Sequence, residues 1–183
     1  MKAKITVLCF CLLLISNICF AWEGRPICDL GAERLYNRIV EAGVNIGAGR
    51  NEFTALKRGV NGDAYSFIFP SSMPNKRNEV MLFTNKAGYV TMILIDGSNT
   101  TKENSDSMLA TMILNLRAIG LNADEIQYAI NNFKKNNYEY RLPNDNSELY
   151  TSDIYVKSMY RTVTIMLTKR PDAHVQACIA VIR

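Results

Sequence analysis

The sequence predicts an α+β fold: a single domain with a largely antiparallel sheet, helices packed against it, and the order helix, four strands, two helices, three strands. Three observations carry this. Apolar residues alternate with polar ones in hairpin-linked runs before residue 97 and again after residue 153. Between those runs lie two segments with helical spacing and their own cap residues. No repeat, low-complexity tract or Pro/Gly-rich linker divides the chain, so residues 22–183 read as one domain behind a leader.

The leader is residues 1–21. Lys2 and Lys4 form a positive start, Ile5 to Ile15 is apolar apart from Thr6, and Cys19-Phe20-Ala21 offers small residues for cleavage after Ala21. The run is shorter than the roughly 20 residues a membrane span needs, and Ile18 before Cys19 does not suit lipid attachment. The expectation is therefore an exported protein, periplasmic or secreted, with no stable membrane anchor once the signal peptide is gone. Cleavage removes Cys9, Cys11 and Cys19 and leaves Cys28 and Cys178. In an oxidising compartment that pair is expected to be bonded, tying the start of the mature chain to its last strand. So long a loop stabilises by roughly 4–5 kcal/mol in the chain-entropy view. Two of the 21 basic residues leave with the signal peptide, against 17 acidic ones. A balance so near neutral carries no footprint of nucleic acid or of an anionic membrane.

In the mature chain, Asp29 is placed to cap a first helix bearing Leu30, Leu35, Ile39 and Val40, which Gly43 to Gly49 ends. Two alternating runs around Asn61-Gly62 predict a hairpin, with Tyr65, Phe67 and Phe69 on one face. Pro70 to Asn78 reads as a polar loop. A second hairpin turns on Asn85 to Gly88. Its outgoing strand, Val90 to Ile95, is nearly all apolar, which predicts a central strand covered on both faces. Thr100 and Glu103 form a capping box for a helix with an apolar stripe of Met108, Leu109, Met112, Ile113, Leu116 and Ile119. Gly120 ends it with Leu121 folding back on Leu116. Asn122 and Glu125 start a further helix carrying Ile126, Ala129, Ile130 and Phe133, with Lys134 and Lys135 at its C-terminal end. Three strands follow, built on Ile154 and Val156, then Val163, Ile165 and Leu167, then Val175 to Val181 after a Pro171-Asp172 turn.

Motifs for chemistry are few. The stretch Asp96-Gly97-Ser98-Asn99-Thr100 after an apolar strand resembles the metal-site motif of von Willebrand A domains, whose oxygens hold a hard divalent cation. The resemblance covers about a dozen residues, and the helix pair and three strands that follow depart from that family's strand–helix alternation. These residues are read as a strand-to-helix connection rich in capping side chains. The helix pair around Gly120 superficially suits a helix-turn-helix reader, yet its few cations sit at one end, so it is read as a hairpin laid on the sheet. His174, the only histidine, lies two residues from Asp172 with no elbow-type serine motif beside it. One histidine and two distant cysteines make no zinc cluster, and Gly47 to Arg50 is read as a turn. No catalytic, metal or cofactor-binding residue is assigned, and no cofactor.

One segment suggests binding. Asn137 to Arg161 holds Tyr138, Tyr140, Tyr150, Tyr155 and Tyr160 among small polar residues, the composition of adaptable recognition surfaces. The leading functional expectation is a non-enzymatic exported binding module of inhibitor, immunity or adaptor type, acting on a protein partner through these tyrosines. Two alternatives stand beside it. One is a small exported hydrolase whose carboxylates meet only in the fold, and the other is a subunit of a cell-envelope assembly.

Overall fold

The computed structural model describes residues 25–60, 63–69, 78–98, 101–136, 147–172 and 174–181. Among the described residues three helices, α1 (Ala32–Asn45), α2 (Lys102–Ala118) and α3 (Ala123–Asn131), accompany eight strands. These are β1 (Lys57–Arg58), β2 (Ala64–Phe69), β3 (Asn78–Thr84), β4 (Val90–Ser98), β5 (Lys134–Asn136), β6 (Glu148–Val156), β7 (Arg161–Lys169) and β8 (His174–Ala180). All eight form one antiparallel sheet in the order β1-β2-β3-β4-β8-β7-β6-β5. The chain builds a helix and a four-strand meander, crosses the sheet with α2 and α3, and builds a second meander inward from the far edge. The last strand then closes against β4 at the centre.

The α+β class and the largely antiparallel sheet follow the sequence pattern, while the strand count after the helices is four rather than three. The additional strand is β5. Lys134 and Lys135 do not end α3, because that helix stops at Asn131, where the Asn132 side chain donates to the Tyr128 carbonyl at 2.8 Å. The lysines then pair with Thr151 and Tyr150 of β6. At the other edge the run from Phe53 to Val60 contributes only the two residues of β1, and Asn61-Gly62 lies outside the described residues. Both sheet edges are thus short and basic, which discourages edge-to-edge pairing.

Several local signals act as the sequence implies. The Asn85 side chain accepts from the backbone N–H groups of Ala87 and Tyr89, closing the β3–β4 turn. Asn122 and Glu125 form a reciprocal capping box on α3. Gly120 sits at φ +108°, a left-handed value that a Cβ would strain, and the Leu121 N–H donates to the Leu116 carbonyl at 3.1 Å. Others shift. The α1 N-cap is Gly31, two residues beyond Asp29, and α1 runs through Gly43 to Asn45. The α2 cap is Thr101, whose hydroxyl accepts from the Asn104 N–H; Thr100 lies outside the described residues.

One hydrophobic core holds the fold. Leu35 and Ile39 of α1, Met108, Met112 and Leu116 of α2, and Ile126 and Ala129 of α3 all join it. They meet Phe67, Phe69, Val80, Leu82, Ile93, Ile95, Val163, Ile165, Ala177 and Ile179 from the sheet. Because strand side chains alternate between faces, membership of one cluster puts all three helices on one face. The expectation for Val90 to Ile95 is therefore half corrected: the strand is central, and Ile93, Ile95 and, past the register shift, Val90 join the helix-side core, whereas Met92 and Leu94 do not. The helix side also contains a polar ladder. Asn78, which begins β3 rather than ending the preceding loop, is buried and donates to Thr111 Oγ1 at 2.8 Å and Ser107 Oγ at 3.1 Å. Thr111 and Asn115 take buried positions on α2 while Leu109 of the predicted stripe is exposed. Pro70 to Lys76 and Arg77, the rest of that loop, lie outside the described residues. Among the described residues no helix is long and apolar enough to cross a membrane.

Candidate functional site

The face of the sheet turned away from the helices is the surface that the fold creates. Strand register sets its layout. Across the middle run Lys57, Ser66, Met81, Leu94, Cys178, Met166, Thr151 and Lys134, each paired with the next. A second row holds Ile68, Glu79, Asp96, Gln176, Thr168 and Leu149, and a third Ala64, Phe83, Met92, Ala180, Thr164 and Asp153. None of Ile68, Met81, Phe83, Met92, Leu94, Met166 or Cys178 joins the helix-side core. Met81, Phe83, Leu94, Met166 and Cys178 are partly exposed. Apolar side chains dominate the centre and the third row, of which Met92, Ala180 and Thr164 are buried, and polar side chains fill most of the second row and the ends of the first.

At one end of this face the fold brings together groups that are far apart in sequence. His174 Nε2 lies 2.7 Å from Asp96 Oδ1, an oxygen with no other hydrogen-bond partner among the described residues. Both side chains are about one third exposed or less. The Asp172 side chain accepts from the His174 N–H at 3.0 Å, which holds the start of β8. Glu79 stands directly opposite Asp96 on β3, and like charges so placed repel. Two carboxylates and an imidazole therefore share an open surface, a grouping that the sequence interval of 78 residues between Asp96 and His174 conceals. The first three residues of the Asp96 to Thr100 motif are not an open loop here, and Asn99 and Thr100 lie outside the described residues. Asp96, Gly97 and Ser98 continue β4, and a Cβ on Gly97 would sit 2.6 Å from Asn78 Oδ1 and 3.0 Å from Met108 Sδ. The glycine admits the close approach of α2. Among the described residues no three His, Cys, Asp or Glu side chains are grouped to hold a metal ion.

The tyrosines separate. Tyr138 and Tyr140 lie outside the described residues. Tyr150 is partly buried: its hydroxyl donates to Glu148 Oε2 at 2.8 Å, and the Lys169 ammonium stands 5.1 Å from its ring centre. The hydrogen bond from Lys135, then that from Tyr150, holds the Glu148 carboxyl below the usual carboxylate range, and the Glu148 carboxylate pushes the Tyr150 phenol up. Tyr155 is 56% exposed and Tyr160 is 85% exposed, the latter at φ 51° where the chain turns from β6 into β7. Tyr89, 42% exposed, precedes β4. Since β4 and β7 run in the same direction, Tyr89, Tyr155 and Tyr160 gather at one end of the sheet. There the Arg161 guanidinium anchors the chain entry by donating to the Pro26 carbonyl and facing Asp29 at 3.7 Å.

Neither Cys28 nor Cys178 is disulfide-bonded, which corrects the expected bridge. The cause is the sheet itself. Cys28 is buried in the helix-side core, and burial pushes its thiol pKa up. Cys178 alternates with the buried Ala177 and Ile179 and so projects from the opposite face. A shallow groove of about 400 Å³ between α1 and the β1 edge is lined by Glu33, Tyr36, Asn37, Leu56, Arg58 and Tyr65, with the Arg58 guanidinium 5.8 Å from the Tyr65 ring centre. The residues of the open face escaped sequence reasoning because their apolar character reads as core. The sign of them is that apolar residues occupy both phases of β3, as in Val80 to Phe83, and of β4. Comparison of the chain with protein-family models, with curated proteins and with solved structures yields no match.

Proposed function

We propose that this protein is a non-enzymatic exported binding module of inhibitor, immunity or adaptor type that engages a protein partner. The observation that carries the reading is the gathering of exposed Tyr89, Tyr155 and Tyr160 at one end of the sheet. Tyrosines so placed offer large rigid contact area at low entropic cost, and they are over-represented among the residues that dominate binding energy. The test is affinity capture from the native host with wild-type protein and a Tyr155→Ala/Tyr160→Ala double variant. Capture of a protein that the double variant loses, with an unchanged melting temperature, is the expected result. Undiminished capture by the double variant removes the tyrosine end from the reading.

A second reading, a small exported hydrolase, draws on the Asp96–His174 contact with Glu79 alongside. Such a pair supplies a base and an acid within reach of one another. It predicts turnover of an ester, glycoside or peptide substrate that Asp96→Asn abolishes. The tyrosine end is the reading favoured here, because a small-substrate site calls for a concave pocket around the pair.

A further inference from the structure

We propose that the groove between α1 and the β1 edge binds a free α-amino acid with a large apolar side chain, its ammonium at Glu33 and its carboxylate at Arg58. This goes beyond the protein-binding reading above, which rests on the tyrosine end of the sheet. The groove has a volume of about 400 Å³ and is lined by Glu33, Tyr36, Asn37, Leu56, Arg58 and Tyr65. That volume falls at the lower end of the roughly 300–1,000 Å³ of small-molecule sites. Half of the lining is apolar in body: Tyr36, Leu56 and Tyr65 are partly buried and pack against the core. It is also fixed in advance. The Tyr36 ring packs T-shaped on the buried Phe67 ring with centroids 5.0 Å apart, and its hydroxyl donates to the Thr54 carbonyl at 2.9 Å. A wall already held in its bound shape spares a ligand the cost of ordering it.

The charges select the ligand. Gly43 lies against the Phe53 ring, and Tyr36 reaches Thr54. Helix α1 therefore runs back along residues 53–58, and its first turn, which carries Glu33, comes toward Arg58. An anion from α1 and a cation from β1 thus line the groove together, and Arg58 stands opposite Tyr65 in the β1–β2 ladder. A ligand of one sign meets a like charge there, and a neutral one gains from neither side chain. A group that carries both charges on neighbouring atoms gains from both, and the head of an α-amino acid has that form. The Arg58 guanidinium keeps contacts of its own, including the Tyr65 ring at 5.8 Å. Its forked N–H donors still suit a carboxylate. The ligand side chain then lies on Tyr36, Leu56 and Tyr65, whose rings favour an aromatic or large aliphatic group.

The test is titration calorimetry of the purified protein with L-phenylalanine as the probe. The expected dissociation constant is about 1 mM or tighter, and a weaker one overturns the proposal. N-acetyl-phenylalanine lacks the ammonium and phenylalanine amide lacks the carboxylate. Each should bind at least about tenfold more weakly, since each loses one charge-assisted contact. Two variants separate the roles. Glu33→Gln should weaken phenylalanine and erase its advantage over the N-acetyl form, while Arg58→Gln should erase its advantage over the amide. Both residues are exposed, so neither change should move the melting temperature much. Equal binding of either derivative by the wild type overturns the proposal, as does phenylalanine binding that survives both variants. Phenylalanyl-alanine binding at least about tenfold more tightly than phenylalanine would overturn the free amino acid in favour of a peptide end. Should a variant lose its fold, the ring-proton resonances of Tyr36 and Tyr65 in the wild type decide the matter. They should shift as phenylalanine is added, and unmoved resonances overturn the site.

Discussion

Both faces of this sheet carry apolar side chains, and they meet different fates. On one, Ile93, Ile95, Val163, Ile165 and Ile179 vanish beneath three helices. On the other, Leu94, Met81 and Met166 stay partly exposed, beside the row that holds Glu79, Asp96 and Gln176. The covered face is built from branched aliphatics that pack into defined shapes. The open face favours methionine, whose flexible, polarisable side chain adapts to a changing neighbour. Hydrophobicity alone therefore does not define a core, and the third dimension decides which apolar phase is structural.

The largest effect that tests this contrast comes from two neighbours on β4. Ile93→Ala should destabilise by about 2–5 kcal/mol, because it opens a cavity in a fully buried site. Leu94→Ala should cost less than about 1 kcal/mol in dilute protein, where its face meets water. Urea unfolding measures both, and equal costs would mean that the faces are equally buried.

Asn78 tests whether the covered face tolerates polarity only when paired. Asn78→Ala removes donors to Thr111 and Ser107 in a buried site and should cost about 1–3 kcal/mol. Asn115 provides the converse. Its Oδ1 is buried without a partner among the described residues, so Asn115→Leu should be far milder than Asn78→Ala if the pocket admits the shape.

The cysteines compare the faces chemically. Cys178 in the native monomer should react with a maleimide at least about tenfold faster than Cys28, whose burial raises its pKa. Mass spectrometry of partly labelled protein reads the ratio. Label appearing first at Cys28 would invert the assignment of faces.

The smallest effect lies at the β5–β6 edge. Glu148 has a folded pKa below its unfolded value, chiefly through the hydrogen bond from Lys135. Its contribution to stability is present above the ordinary glutamate pKa of about 4.3 and is lost as pH falls through the lower folded value. Lys135→Ala should slightly flatten the acid limb of a stability–pH curve, and because the pair is exposed the change near neutrality should be close to nil. A large shift in melting temperature at pH 7 would mean that this edge is buried in the native assembly.

Much of the fold was legible in the chain because its causes are local. Asn85, Gly120 and the Asn122–Glu125 box act through bonds spanning five residues or fewer, so their residue types suffice to place a turn, a stop and a start. Helical and alternating periodicity located α1, α2, α3 and most strands for the same reason. β5 was hidden, because Lys134 and Lys135 suit a helix end as well as an edge strand and only β6 discriminates. The candidate sites were largely illegible. The Asp96–His174 contact joins residues 78 apart, the rows of the helix-free face cross six to eight strands, and the separation of Cys28 from Cys178 depends on which side of the sheet each faces.

The order of residues along the chain is enough for the α+β class, the antiparallel hairpins and most of the helix caps. Tertiary structure alone decided the order of the strands, the one-sided placement of the helices, and hence which apolar residues became core and which became surface. The physical reason is the range of the interactions involved. Caps, turns and periodicity are settled between neighbours along the chain. Burial is settled by whatever elements the chain brings back across a sheet, and an alternating strand has two faces that its own sequence cannot rank.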